Sequence, residues 1–256
     1  MRIHHEKLPE ITRYLESQGN KLEDKEGQYQ NYLSLIRKVH PVDANTRILE
    51  VGTGTGWFPL LCKLRGLSCK GLEISPQLIE SAFEIGKAYG IEPDIELGNL
   101  EDTDLGREKY DVVVAVCVFE HVERWRSGLE KLAACLKPGG VFLFISTNKF
   151  FIGHNEYPWR FYGWLPNWLR YRFRIWKVGP EVMKLGIDFN QFRHSQLKKA
   201  FRKVGFRRIL DRIDVTNPED VSSPLKRRIL TICKSLGPVG KLALTFADTT
   251  FFVCVK

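Results

Sequence analysis

The sequence predicts an α/β protein in which a mostly parallel sheet carries helices on both faces. Three observations predict it. Apolar, β-branched runs alternate with helical patterns across residues 46–146. One of those runs, DVVVAVC at residues 111–117, has no polar face, as a strand covered on both sides should. And ILEVGTGTGW, residues 48–57, sets three glycines where the first strand hands over to the first helix. Strands that alternate with helices at this spacing imply right-handed crossovers and therefore parallel neighbours.

Each element follows from local pattern. Residues before Val42 read as helical and polar, with a short apolar pattern at Tyr32, Leu33 and Ile36, and Pro41 ends that helix. Residues 46–51 read as a strand, 57–67 as a helix and 68–74 as a second strand. Ser75 then caps a helix that runs through Tyr89, with Pro76 at its first position, where a missing N–H costs nothing. Residues 94–97 form a short strand and 111–117 the next one. A helix over 122–136 is closed by the KPGG turn at 137–140, and residues 141–146 make a fifth strand. No internal repeat or low-complexity tract interrupts the order.

Composition bounds the class. The 256 residues are 43% hydrophobic and 27% charged, an ordinary globular balance, and suffice for one large domain. No apolar run reaches the roughly 18 residues of a spanning helix, and the polar N-terminus MRIHHEKLPE does not resemble a secretory signal. Six cysteines lie scattered among apolar neighbours without a CxxC pair, which fits buried, reduced thiols in a cytoplasmic protein and no metal site. A formal charge of +9 biases the chain toward anionic partners without choosing among them.

A glycine-rich turn between strand and helix lets a ligand approach the backbone and meet free N–H groups at a helix N-terminus. A dinucleotide fingerprint GxGxxG would need its third glycine at residue 57, which is Trp57, and no Gly-Lys-Ser/Thr follows Gly56, so a P-loop is excluded. What remains is an acid followed by alternating glycines: Glu50, Gly52, Gly54 and Gly56. Here the chain resembles the class I S-adenosylmethionine-dependent methyltransferases, in their small-molecule, type 11-like branch. GLEIS with Glu73, GNLED at 98–102, YDVVVAVCVFEHV at 110–122, LKPGGVFLFIS at 136–146 and FRHSQLKKAFRKVGF at 192–206 extend the likeness in the right order.

The resemblance implies a Rossmann-like sheet of seven strands, mostly parallel, with the last strand antiparallel. It implies S-adenosyl-L-methionine as methyl donor, S-adenosyl-L-homocysteine as product, and no metal. Gly52 and Gly54 are expected near the methionyl carboxylate, Glu50 near the ammonium, and the two oxygens of Glu73 on the ribose hydroxyls. Asn99 stands where the family often has Asp for the adenine edge, with Asp102 as a substitute. Thr53, Gly56, Ile74, Leu100 and Cys117 complete the expected cofactor set. His121, after the fourth strand, is the candidate catalytic base or positioning residue, and Glu120 beside it a candidate acceptor contact.

The expected organisation is one domain: an N-terminal helical cap (1–41), a cofactor-binding core (42–150), an insertion roofing the acceptor site (151–188), and the C-terminal part of the sheet (189–256) with a helical excursion near 222–246. The insertion contains NEYPWRFYGWLPNWLRYRFRIWKVGP, residues 155–180, rich in aromatics and arginines. His154, Tyr157, Trp159, Tyr162 and His194 are its neighbourhood's acceptor candidates, set against the commoner structural role of lone histidines and clustered aromatics. In the excursion, Leu225, Ile229, Ile232 and Leu236 recur at helical spacing among Lys226, Arg227 and Lys234. Two such basic, amphipathic segments point to a peripheral contact with an anionic membrane, where Trp159, Trp164, Trp168 and Trp176 would sit at the interface and Arg170, Arg172 and Arg174 would meet headgroups. The acceptor is then a small molecule or a lipid-linked one. No Asn-Pro-Pro-aromatic or Asp-Pro-Pro-aromatic motif follows the fourth strand, and no RNA-binding module is appended, so nucleic acid is not the expected partner. A non-catalytic, nucleoside- or partner-binding protein of the same fold is the alternative, with a nucleic-acid methyltransferase ranked behind it.

Overall fold

Alternate residues along each central strand point to opposite faces, and every strand of the middle of the sheet is apolar on both. The chain was described from a computed structural model, which covers residues 3–17, 19, 21–153, 160–180 and 190–256. Its strands are β1 (Arg47–Val51), β2 (Ser68–Glu73), β3 (Ile95–Leu97), β4 (Tyr110–Val116), β5 (Leu136–Thr147), β6 (Arg208–Asp211) and β7 (Thr249–Val255). They form one sheet in the order β3-β2-β1-β4-β5-β7-β6. The pairs among β1 to β5 are parallel, and β7 runs antiparallel between β5 and β6, as the resemblance implies.

The helices are α1 (Pro9–Ser17), α2 (Glu26–Arg37), α3 (Trp57–Leu64), α4 (Pro76–Ala88), α5 (Trp125–Cys135), α6 (Asn167–Val178), α7 (His194–Lys203), α8 (Arg212–Val215) and α9 (Pro224–Ser235). Ile48, Val112, Val114, Leu143 and Val253 face one layer, made with residues of α2, α3 and α4. Leu49, Val113, Phe142, Phe144 and Phe252 face the other, made with α5 and α7. In that second layer Phe144 meets the rings of Phe119, Phe142, Phe192 and Phe201 at 5.2–6.1 Å. Removing such a ring should cost about 3–5 kcal/mol. The N-terminal part is more than a cap. Tyr29, Tyr32, Leu33 and Ile36 of α2 are buried in the first layer with Phe58 of α3.

Boundaries moved where a turn outweighed propensity. The helix expected to reach residue 67 stops at Leu64, because Gly66 turns left-handed (φ +72°) and the Leu67 N–H donates to the Cys62 carbonyl at 2.9 Å. Ser75 caps α4 as expected, its Oγ accepting from the Leu78 N–H at 3.4 Å. The KPGG segment does not stand between two elements. Leu136 already pairs with Tyr110, residues 137–140 loop out, and the ladder resumes at Val112 and Val141. Cys117 and Cys233 also depart from expectation: they are exposed and half-buried, whereas Cys62, Cys69, Cys135 and Cys254 are buried, and all six are free thiols.

Candidate active site

From β1 the chain leads left in the sheet to β2, and from β3 it crosses back to β4 on the right. Between the carboxyl ends of β1 and β4 the sheet therefore opens a crevice at a topological switch point. The glycine loop lies on one side of that crevice and the segment 117–121 on the other. They touch: a Cβ built on Gly52 would stand 2.4 Å from the Val118 Cγ2, and Gly52 is left-handed at φ +68°. Only glycine fits there. Cys117, the residue before, is itself left-handed at φ +53°, and a non-glycine residue held so at a strand end marks stored strain of the kind found at functional sites.

Glu50, the last residue but one of β1, is buried, 5% exposed. Its Oε2 accepts from the Thr53 hydroxyl inside the loop. Burial pushes its carboxyl up to about 8, against the lowering effect of that hydrogen bond, and the neighbouring Glu73 pushes it further. Glu73 ends β2 and is equally buried. Its Oε2 accepts from the Gly54 N–H at 2.8 Å, while Oε1 accepts from Ile74 and Ser75 N–H at 2.9 and 3.0 Å. Burial raises its carboxyl as well; the three backbone donors and a charged His121 oppose the rise. Glu73 thus bridges the glycine loop to the start of α4, and His121 lies within its electrostatic reach.

Two buried carboxyls that resist ionisation by burial and by each other favour a ligand carrying positive charge and hydroxyl groups. The open face of the loop is at Gly54, where a Cβ would meet only the Tyr14 hydroxyl, 3.5 Å away. Tyr14 comes from α1, which is held against α4 by the Leu8 N–H donating to Gln77 Oε1 (3.3 Å) and Gln77 Nε2 donating to Thr12 Oγ1 (3.1 Å). Nothing in the local pattern of α1 says which loop it will cover, so Tyr14 escaped sequence reasoning. The N–H groups of Gly52 and Gly54 are spent, on the Leu72 carbonyl (2.8 Å) and on Glu73. Donors without intrahelical partners remain in the first turn of α3.

Asn99 follows β3, buried, with Oδ1 accepting from the Glu101 N–H at 3.0 Å and Nδ2 donating to Asp102 Oδ2 at 3.3 Å. Leu100 lies in the core beneath it. On the far wall, His121 is half-buried and ends a single turn, Phe119–His121. Asn190 ties that turn down: its N–H donates to the Glu120 carbonyl at 3.0 Å and its amide to the Phe119 and Val122 carbonyls at 3.1 and 2.7 Å.

Several expected acceptor contacts are placed elsewhere. Glu120 is completely buried and accepts from Ser146 Oγ at 2.6 Å, so it braces the floor and presents no carboxylate to an acceptor. His194, half-buried, stacks on Phe252 at 4.5 Å, and burial pushes its imidazole down to about 4, so it packs as a neutral ring against the last strand. Tyr162 is buried, its hydroxyl donating to the Arg170 carbonyl at 3.4 Å. Arg170 is 0% exposed and donates to Asn167 Oδ1 at 2.7 Å, so it holds the insertion together and cannot meet headgroups. His154, Tyr157 and Trp159 lie outside the described residues. Among the described residues no group of three or more His, Cys, Asp or Glu could hold a metal ion.

Residues 11–210 match the family model described as a methyltransferase domain. A ubiquinone biosynthesis O-methyltransferase of Nitrobacter winogradskyi is 33% identical over 109 residues, 41% of this chain and 40% of that protein. The chain spans half or less of the length of the curated relatives it matches. An S-adenosylmethionine-dependent methyltransferase from Mesorhizobium loti shares the fold at a TM-score of 0.56 and 17% identity, over 86% of this chain and 95% of that one. A phosphoethanolamine N-methyltransferase 2 from Haemonchus contortus, solved with phosphomonomethylethanolamine and S-adenosylhomocysteine, does so at 0.56 and 16%, over 89% and 52%.

Proposed function

The chain belongs to the methyltransferase-domain family, and from that premise we propose that it moves the methyl group of S-adenosyl-L-methionine to an oxygen of a lipid-linked acceptor met at an anionic membrane surface. The family makes it an S-adenosylmethionine-dependent methyltransferase; the acceptor and the residue roles are our reading. When bound, the cofactor supplies a methyl group on a sulfonium, open to in-line displacement. The residues around the loop fit it. Glu50 offers a buried carboxyl for an ammonium, Glu73 retains acceptor capacity on both oxygens for a diol, Asn99 and Asp102 flank an adenine edge, and Tyr14 closes over Gly54. A hydroxyl nucleophile must lose its proton during transfer, and His121, on the wall facing the loop, is assigned to take it or to hold the hydroxyl in line.

A single observation carries the membrane surface. Trp168 and Trp176 of α6 are 62% and 78% exposed, and Leu225 of α9 is 69% exposed, with Ile229, Ile232 and Leu236 of the same stripe also outside. Ser223 and Pro224 start α9 as a proper cap and first residue, yet no residue of that helix is buried. The turn before α6 meets the turn after α9, where Trp164 lies 6.5 Å from Phe246. Exposed Arg172 and Lys177 edge the first, and Lys226 and Arg228 the second. Exposed apolar side chains with basic neighbours on each helix match an interface of acyl chains and anionic headgroups, each nearby cation contributing about 1 kcal/mol. The O-methyltransferase names of the relatives support oxygen as the nucleophile. No described helix is long and apolar enough to cross a membrane.

Co-sedimentation with anionic and neutral vesicles tests this reading. Binding to the anionic vesicles should fall with added salt, as screening over a Debye length of about 10 Å at 0.1 M demands, and should be lost in Trp168→Ala/Trp176→Ala/Leu225→Ala. Protein that stays in the supernatant with anionic vesicles at low salt overturns it and leaves a water-soluble acceptor.

A further inference from the structure

A cleft of about 600 Å³ opens between the first half of α5 and the length of α7, beside the segments that follow β5 and precede α7. Arg126, Lys149, Arg193, Lys199 and Lys203 line it against a single acid, Glu130. None of these five cations forms an ion pair among the described residues. Among the described residues these cations outnumber the one acid of the lining, and a cleft lined mostly by one sign of charge focuses the resulting potential. Lys149 registers it: burial first, and then repulsion by Arg170 and Arg193, lowers its affinity for a proton.

The spacing of these cations says what they would hold. Ser195, Lys199 and Lys203 recur every four residues along one face of α7, a row about 12 Å long at 1.5 Å per residue. Lys149 and Arg193, from the segments that flank the cleft, and Arg126 of α5 add to that row. One monovalent anion would leave most of this charge unanswered; two or three linked phosphates would answer it. Trp125 and Leu129 add apolar lining. Arg193 lies over the Phe150 ring at 5.4 Å, and Phe150 meets Trp164 edge-on at 5.3 Å. The same Trp164 borders the exposed apolar surface, so the charged cleft and the apolar face are neighbours.

We propose that this cleft is a binding site for a di- or triphosphate ester. On the lipid-acceptor reading, on which this extension rests, a lipid whose chain lies along the Trp164 surface would place its phosphates on Arg193 and Lys149. A free phosphate ester would use the same cations.

Titration of the full chain with sodium tripolyphosphate, followed by calorimetry, tests the site directly. Binding should be measurable at low salt and weaken about tenfold to a hundredfold in Lys149→Gln/Arg193→Gln, from the loss of two charged contacts. Lys226→Gln/Arg228→Gln, with the same change in net charge on α9, should bind as the wild type does. S-adenosylhomocysteine titrated in parallel should bind all three proteins alike. Tripolyphosphate that fails to bind the wild type, or binds all three equally, overturns the site; if S-adenosylhomocysteine still binds, the methyltransferase reading stands. Phosphatidylcholine vesicles with and without a prenyl diphosphate then separate the sources. Retention only by the diphosphate vesicles, lost in Lys149→Gln/Arg193→Gln, supports the lipid-borne ligand, and tripolyphosphate binding without retention supports the free ester.

Discussion

Replacing Glu50 by Gln keeps the shape and an oxygen to accept from the Thr53 hydroxyl, but removes the ionisable proton. The wild-type carboxyl is buried and pushed from an ordinary 4.5 up to about 8. In the unfolded chain the proton leaves near 4.5; in the folded chain it stays until about 8. Between these values the folded state binds more protons, so stability falls as pH rises, by about 1.4 kcal/mol per pH unit. Across the whole window the ionised form costs on the order of 5 kcal/mol in the ligand-free protein. The Gln variant is free of that slope. Urea denaturation at pH 5 and pH 8 should give similar midpoints for both proteins at the lower pH and a clearly more stable variant at the higher one. Calorimetry in buffers of different ionisation enthalpy should show the wild type releasing a proton when S-adenosylmethionine binds at pH 7, because the ammonium favours the carboxylate, with the release absent from Glu50→Gln. Parallel pH profiles for the two proteins would refute the reasoning.

Other outcomes follow from the same geometry. Glu73→Ala should weaken S-adenosylhomocysteine binding about tenfold to a hundredfold, from the loss of about 2 kcal/mol of charged hydrogen bonding, read by titration calorimetry. His121→Ala should lower turnover more than about tenfold with little change in cofactor affinity; equal losses of turnover and folding stability would make it structural instead. Gly52→Ala, which adds a Cβ against Val118 at a left-handed φ, should lower the melting temperature and abolish cofactor binding together. His194→Phe keeps the stacking on Phe252, so turnover should persist; a large loss would return His194 to the active site.

Much of the fold and the cofactor crevice was legible because it rests on local chemistry. Strand runs apolar on both faces, the Ser75–Pro76 start of α4, and glycines that alternate after Glu50 each state a backbone or burial requirement within a few residues. What escaped depends on packing between distant segments. Glu120 looks like an acceptor contact until Ser146, 26 residues on, takes its carboxyl into the floor. His194 begins a helix, and its stacking on Phe252 in the last strand was not legible from its neighbours in sequence. Arg170 sits among exposed aromatics in sequence, but the turn of α6 buries its guanidinium over Tyr162 and Tyr171. The stripe of α9 was visible as periodicity; that it faces outward was decided by the absence of any described surface to cover it.

The central claim is methyl transfer from S-adenosylmethionine to a lipid-borne oxygen. The most direct measurement is to incubate the protein with methyl-labelled S-adenosylmethionine and total cell membranes, and separately with the water-soluble small-molecule fraction, then to count label in the organic and aqueous phases. Protein-dependent label is expected in the organic phase from membranes, stable to the conditions that hydrolyse methyl esters if the product is an ether, and lost with Glu73→Ala. Label that appears only in the aqueous phase would contradict it.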